Sequence, residues 1–284
     1  MKSIHCLTIS ILLSTLSLHG QGLSKDFESI HDPFEKQYEV VDTAMIEVVY
    51  VHSLFDSVLK KKDRVYGLLA LGDNYSRYMN YSNYKLDSIR NARAGEKYWD
   101  NEWFNGPVRK YEAAFSSSRE SVLKNLRDSV LYFDGYMMGR YYYEEPMHQM
   151  EWTLGDETKE ILGYECRKAT CRWRGRDWTA WYSELPYSDG PWMFGGLPGL
   201  IMELTDAIGE HKIRAKGIKR DVYPFGLSKR RSDFRTKRER YRKMMEDYIE
   251  NAAAKFMESG MVISGLEKEV AKPRRLFYCP LELE

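Results

Sequence analysis

The chain has 284 residues, and its 43 Lys and Arg against 42 Asp and Glu leave a formal net charge of only +1 at pH 7. Such a balance gives no global electrostatic reason to bind nucleic acid, so no nucleic-acid partner is expected. The chain is 43% hydrophobic and 14% aromatic, with 21 Tyr and 7 Trp. Aromatic residues of this abundance favour strands and supply a sizeable core.

The first 22 residues have the three-part pattern of a secretory signal peptide. Lys2 provides a positive start, residues 4–18 are mostly apolar, and glycines supply small residues for cleavage. The apolar stretch is shorter than the about 20 residues that a membrane span needs. We therefore expect a signal peptide over 1–22 and a single domain over 23–284. The mature protein is then exported, to the periplasm or to the outer membrane as an associated protein.

Strand and turn signals fill the first half of the chain. Residues 39–52 are β-rich, and the runs 65–71 and 75–81 are joined by Gly-Asp-Asn as in a hairpin. The polar stretch 82–110 has no clear period and is interpreted as irregular. Over 117–134, a capping-box spacing followed by apolar residues at helical intervals predicts a short helix.

The second half of the chain contains two further hairpin signals, with turns at 175–177 and 207–210. Apolar residues then recur at helical spacing, which predicts one long amphipathic helix over about 228–259. The sequence as a whole predicts a mainly antiparallel β (α+β) protein. Its sheet is expected to be curled, or to form a half-barrel, and to be followed by the long C-terminal helix.

The segment 188–201, between the two hairpins, is unusually rich in Gly and Pro. Pro198-Gly199 is the pair that a type II turn favours, because proline presets φ and glycine accepts a positive φ. Large apolar residues, such as Trp192, flank the glycines. We expect a rigid loop that re-enters a strand near Ile201.

This segment resembles the GLPGLI family of exported bacterial proteins, which is named for the hexapeptide found here at 196–201. The similarity extends to the flanking strands 163–169 and 180–186, to the run 189–201, and to the closing motif at 279–283. The resemblance implies an envelope protein without a defined reaction. A second resemblance, to the lipoprotein-carrier superfamily, rests on strand order and implies a half-barrel around an acyl chain.

We interpret the aromatic residues around this segment either as a filled core or as the lining of an apolar site with the loop 188–201 at its mouth. In the second case the partner is an apolar small molecule, a lipid or an envelope protein. The predicted binding residues are Trp181, Tyr182, Asp189, Gly190, Pro191, Trp192, Phe194, Gly196, Leu197, Pro198, Gly199, Leu200 and Ile201.

Two alternative functions follow from other features of the sequence. An envelope hydrolase would use Asp189, Asp206 or His211, and a structural protein would be a partner of an outer-membrane complex. The histidines have no zinc-motif spacing, and the sequence contains no G-x-S-x-G elbow. The sequence therefore predicts no metal, no cofactor and no assigned catalytic residue.

The basic block 228–243 is interpreted either as the solvated face of the long helix or as a peripheral contact with acidic lipid headgroups. Three cysteines remain after export, namely Cys166, Cys171 and Cys279. On a regular strand the first two point to opposite faces and cannot form a disulfide with each other. A bridge from Cys279 to one of them and three free thiols both remain open.

Overall fold

The computed structural model describes residues 38–92, 120–137, 139–147, 150–228, 233–258 and 277–284. The predicted signal peptide lies outside these residues. The strands are β1 (Tyr38–Asp56), β2 (Lys61–Leu71), β3 (Tyr75–Asn80), β4 (Ser121–Asn125), β5 (Val130–Tyr136), β6 (Arg140–Pro146), β7 (Thr153–Ile161), β8 (Tyr164–Trp173), β9 (Arg176–Ser183), β10 (Ile201–Asp206), β11 (His211–Ser228) and β12 (Phe234–Arg235). The helices are α1 (Tyr81–Ala92) and α2 (Arg238–Glu258).

All twelve strands belong to one open sheet, in the order β12-β6-β5-β4-β3-β2-β1-β11-β10-β9-β8-β7. Every pairing is antiparallel except the short parallel contact between β12 and β6. Two meanders, β1 to β6 and β7 to β11, therefore meet where β1 pairs with β11. Both meanders contribute side chains to the same main core.

The fold class predicted from the sequence is wrong. The structure is mostly β, with 59% strand and 13% helix, and forms one open sheet of twelve strands rather than an α+β half-barrel. No long C-terminal helix spans 228–259, because β11 continues to Ser228 and β12 precedes α2. Phe234, which matched the helical period, instead stacks near Tyr141 from a strand. The backbone of α2 is also non-helical at Asn251.

Two further predictions in the first half of the chain are wrong. The predicted helix over 117–134 is the hairpin of β4 and β5 where the structure describes it. All five residues of β4 are buried, so apolar residues stand side by side and imitate one face of a helix. Residues 81–92, interpreted as irregular, form α1. The hairpins with turns near 72–74, 175–177 and 207–210 are confirmed.

The main core lies on one face of the sheet. Alternate residues of the strands point into it, among them Tyr50, Leu69, Phe133 and Trp178. A smaller cluster of Ala44, Ala70, Leu123 and Phe225 lies apart from it.

The closest backbone approach between β1 and β11 makes Gly226 indispensable. A Cβ atom there would lie 1.7 Å from the Glu39 carbonyl oxygen, whereas at Gly217 of the same strand it would meet nothing within 4 Å. We expect Gly226→Ala to destabilise the protein by about 3 kcal/mol, the upper range for overpacking. Gly217→Ala should change stability by less than about 0.5 kcal/mol. Urea unfolding of both variants tests this, and equal midpoints would contradict it.

Candidate functional site

The loop 188–201 connects β9 to β10 and folds into the main core. Trp192, Phe194 and Leu197 are 8%, 0% and 1% exposed. The Trp192 ring lies edge-on to Phe133, with the centroids 5.9 Å apart, and the Phe194 ring lies 4.8 Å from Trp178. Apolar burial of this extent stabilises the loop by several kcal/mol.

A buried lysine holds this loop from the far half of the sheet. Lys124, on β4, is 1% exposed and forms an ion pair with Asp189. Its Nζ also donates to the carbonyl oxygens of Gly190 at 2.9 Å and Phe194 at 2.8 Å. All three ammonium hydrogens are therefore used. Burial lowers the pKa of Lys124, and the Asp189 carboxylate opposes this shift.

Backbone contacts complete the anchoring of the loop. The Tyr50 hydroxyl donates to the Ile201 carbonyl at 2.7 Å, and the Trp152 indole donates to the Gly195 carbonyl at 2.9 Å. The predicted type II turn is wrong, because the positive φ falls at Gly196 and not at Gly199. Gly199 is required for another reason: a Cβ atom there would lie 1.7 Å from the Ser183 carbonyl oxygen.

The structure brings together twelve of the thirteen predicted binding residues in this loop and at its ends. Their apolar side chains face the core, and only Gly196 and Pro198 are exposed. Trp181 differs, because it is half-buried and Lys159 lies over its ring at 4.1 Å. A ligand would reach the buried side chains only by displacing the loop.

The three residues suggested for a hydrolase do not form one reactive centre. Asp189 is neutralised by Lys124, whereas Asp206 accepts a hydrogen bond from Arg176 at 2.7 Å and another from the His211 backbone N–H at 2.9 Å. Burial lowers the pKa of His211 to about 3. A general base works best with a pKa near the operating pH. The geometry therefore does not favour hydrolysis.

A histidine pair lies beside the C-terminal segment 277–284. His52 Nε2 and His211 Nδ1 are 3.0 Å apart, and His211 Nε2 lies 3.1 Å from the Pro280 carbonyl oxygen and 3.4 Å from Cys279 Sγ. Burial lowers the pKa of His52 as well, and raises that of Cys279 to about 12. Both imidazoles and the thiol are therefore neutral. Cys166, Cys171 and Cys279 are all free, so no disulfide joins these three described cysteines.

Three arginines hold the C-terminal segment. Arg176 donates to the Pro280 carbonyl at 2.8 Å, and Arg174 and Arg238 both pair with Glu282, at 2.6 and 3.2 Å. Arg174 also pairs with Glu145 of β6. The closing motif of the resemblance is thus a docked segment in this structure.

A separate pocket of about 370 Å³ lies between α1 and the sheet. Leu68, Ala70, Met79 and Phe225 provide its apolar side chains. Its polar lining consists of Arg77, Asp87, Ser88 and Asp221 together with Tyr38, Tyr84 and Tyr223. The volume falls in the range of small-molecule sites.

The Tyr223 hydroxyl is buried beside the pocket. It makes no hydrogen bond of full geometry, but the Glu47 carboxylate and the Tyr84 hydroxyl lie close to it. Burial raises the pKa of Tyr223, and the Glu47 carboxylate adds to the shift. The Tyr84 ring lies 5.7 Å from the Tyr223 ring. The phenol of Tyr223 is therefore neutral.

Sequence reasoning missed Lys124, the histidine pair and this pocket. The sequence offers little signal for Lys124, because it lies between Leu123 and Asn125 in a segment that the helical spacing assigned to a helix. The pocket depends on α1, which was interpreted as irregular.

The basic block 228–243 is described only in part. In that part, Arg238 is held by Glu145 and Glu282, and Arg242 pairs with Glu246. The membrane contact stays a prediction. Among the described residues, no helix is sufficiently long and apolar to cross a bilayer.

Comparisons with known proteins add little to this geometry. No protein-family model matches the chain, and no curated protein matches it either. Two solved structures of PNGF-II are similar, with TM-scores of 0.48 and 0.46 and identities of 16% and 15%. The similarity covers 74% of this chain and 34% of PNGF-II, so the chain spans about a third of that protein. Likeness at this level carries no functional argument.

The buried ion pair makes a specific prediction about stability. Lys124→Met leaves the Asp189 carboxylate buried without its cation, so we expect a loss of about 3–5 kcal/mol in the free energy of unfolding. The matched control is Lys168→Met, because Lys168 and its partner Glu157 are 29% and 66% exposed. That change should cost less than about 1 kcal/mol. Urea unfolding measures both, and similar losses would refute the structural role of Lys124.

The neutral histidine pair predicts acid sensitivity. The folded-state pKa of each imidazole is below its ordinary value of about 6.5, so below that pH the unfolded chain binds protons that the folded protein does not bind. The contribution of each histidine to stability is therefore fully present above about pH 6.5 and is lost as the pH falls. The window runs from about 6.5 towards the value of about 3 for His211. Each histidine contributes up to about 1.4 kcal/mol per pH unit.

The test compares unfolding free energies from pH 7 to pH 4 for the natural protein and for the double variant His52→Gln with His211→Gln. The variant should lose stability less steeply. Parallel pH profiles would show that the pair does not carry the acid response.

Proposed function

We propose that the protein is a non-catalytic, exported envelope protein that binds a small amphiphilic molecule in the pocket beneath α1. The observation that carries this proposal is a pocket of about 370 Å³ whose lining combines apolar side chains with arginine, aspartate, serine and tyrosine residues. Such a combination is typical of ligand sites, where a few polar groups orient a mainly apolar molecule. Export and the envelope location rest on the signal-peptide pattern and the family resemblance.

The chemistry of the lining defines the class of ligand. An apolar portion would contact Leu68, Met79 and Phe225, while a hydrogen-bonding group would meet polar side chains of the lining such as Ser88. The lining carries Arg77 together with Asp87 and Asp221, so it presents charges of both signs.

This site is favoured over the loop 188–201 and over a hydrolase. The loop's large side chains are occupied in core packing, and Asp189 and Asp206 are occupied in ion pairs. An outer-membrane structural role has no specific contact in its support. The pocket is the better candidate because polar side chains line its free volume.

The test uses anilinonaphthalene sulfonate, a fluorescent probe with an apolar ring system and an anionic group. Ser88→Trp, on α1 and in the pocket lining, should weaken saturable binding at least tenfold because the indole occupies the pocket. Ser82→Trp, on the same helix but outside the lining, should leave the affinity unchanged. Equal affinity in the natural protein and in Ser88→Trp would eliminate this pocket as the site.

A further inference from the structure

Three side chains with metal-binding atoms converge away from the pocket. Glu210 and His211 stand where the β10–β11 turn enters β11, and Cys279 stands in the C-terminal segment. Their carboxylate, imidazole and thiol atoms all lie within 4.8 Å of one another. A short sequence motif could not have predicted this group, because His211 and Cys279 are 68 positions apart in the chain.

The distance between the imidazole and thiol ligand atoms suits a tetrahedral ion. His211 Nε2 and Cys279 Sγ are 3.4 Å apart. In a tetrahedral zinc site, metal–nitrogen and metal–sulfur bonds of about 2.0–2.1 and 2.3 Å place the two ligand atoms roughly 3.5 Å apart. We propose that Glu210, His211 and Cys279 bind a thiophilic divalent cation of the Zn²⁺ type.

Neighbouring groups orient two of these ligands. His52 Nε2 lies 3.0 Å from His211 Nδ1, which fixes the imidazole ring and keeps Nε2 directed at Cys279. Arg176 donates to Oε2 of Glu210 at 2.8 Å and leaves the other oxygen for a metal. Such hydrogen bonds to the far side of a ligand are the usual support of metal sites.

The charges around the cluster favour a cation. Asp206 and Glu210 carry two negative charges against the single positive charge of Arg176, and Asp56 also acts on Cys279. When the metal–sulfur bond forms, the Cys279 S–H bond breaks and its proton passes to solvent. A divalent cation and a thiolate together add one positive charge, which reduces the excess of negative charge.

The imidazole protons are conserved in this step. Without the metal, His211 Nε2 lies 3.1 Å from the Pro280 carbonyl oxygen and donates its proton there, while His211 Nδ1 accepts from His52 Nε2. Metal binding moves the His211 proton to Nδ1, which then donates to His52 Nε2, and the His52 proton moves to its Nδ1. The entry route is short, since the Glu210 side chain is 15% exposed and Cys279 is only partly buried. The ion therefore reaches the ligands without opening the main core.

The test uses Co²⁺ as a spectroscopic probe of the metal-free protein. One equivalent of Co²⁺ should give the visible bands of a tetrahedral ion and a near-ultraviolet thiolate charge-transfer band, and Zn²⁺ should abolish both. Cys279→Ser should lose the charge-transfer band. Cys171→Ser, which removes another buried thiol, should retain it.

Two outcomes would overturn the proposal: no charge-transfer band in the natural protein, or an undiminished band in Cys279→Ser. If Cys279→Ser does not fold, His211→Gln replaces it, because the amide can still donate to the Pro280 carbonyl. That variant should bind Co²⁺ at least tenfold more weakly, and unchanged affinity would likewise refute the site.

Discussion

A single buried ammonium group determines how the loop 188–201 meets the sheet. Lys124 comes from the first meander and Asp189 from the second, and neither is solvated. Desolvation of both ions costs several kcal/mol, which is recovered only when every donor is satisfied. One loop conformation does this, because Nζ must also reach the carbonyls of Gly190 and Phe194. The aromatic side chains pack well in many arrangements, so we infer that the lysine selects one of them.

A second set of charges acts where the chain ends. Arg174 and Arg176 flank the β8–β9 turn, and both bind the C-terminal segment. Since Arg174 also pairs with Glu145 of β6, this cluster connects the same two meanders as Lys124 does. The apolar core therefore lies between the Lys124 cluster and the arginine cluster. Burial of its apolar surface supplies most of the stability of the fold, whereas the ion pairs restrict the geometry of the loop and of the C-terminal segment.

The sequence predicts those features of the fold that residues close together in the chain determine. The hairpin at 175–177 follows from turn residues between two alternating strands, and the structure has it. The helix predicted over 117–134 fails because β4 is buried on both faces, so its pattern has no period of two. The loop contacts were not predictable, since Lys124 and Asp189 lie 65 positions apart. The pocket and the Cys279 cluster likewise join distant segments.

The two proposed sites differ from the ionic clusters in one physical respect. At Lys124 and Arg174, each charged group meets an opposite charge within the fold. Beneath α1, apolar and polar side chains surround a free volume of about 370 Å³. At Cys279, an excess negative charge remains near a thiol and an imidazole that face each other. Local incompleteness of this kind costs stability, and natural proteins retain it mainly at sites where a bound molecule or ion supplies the missing partner.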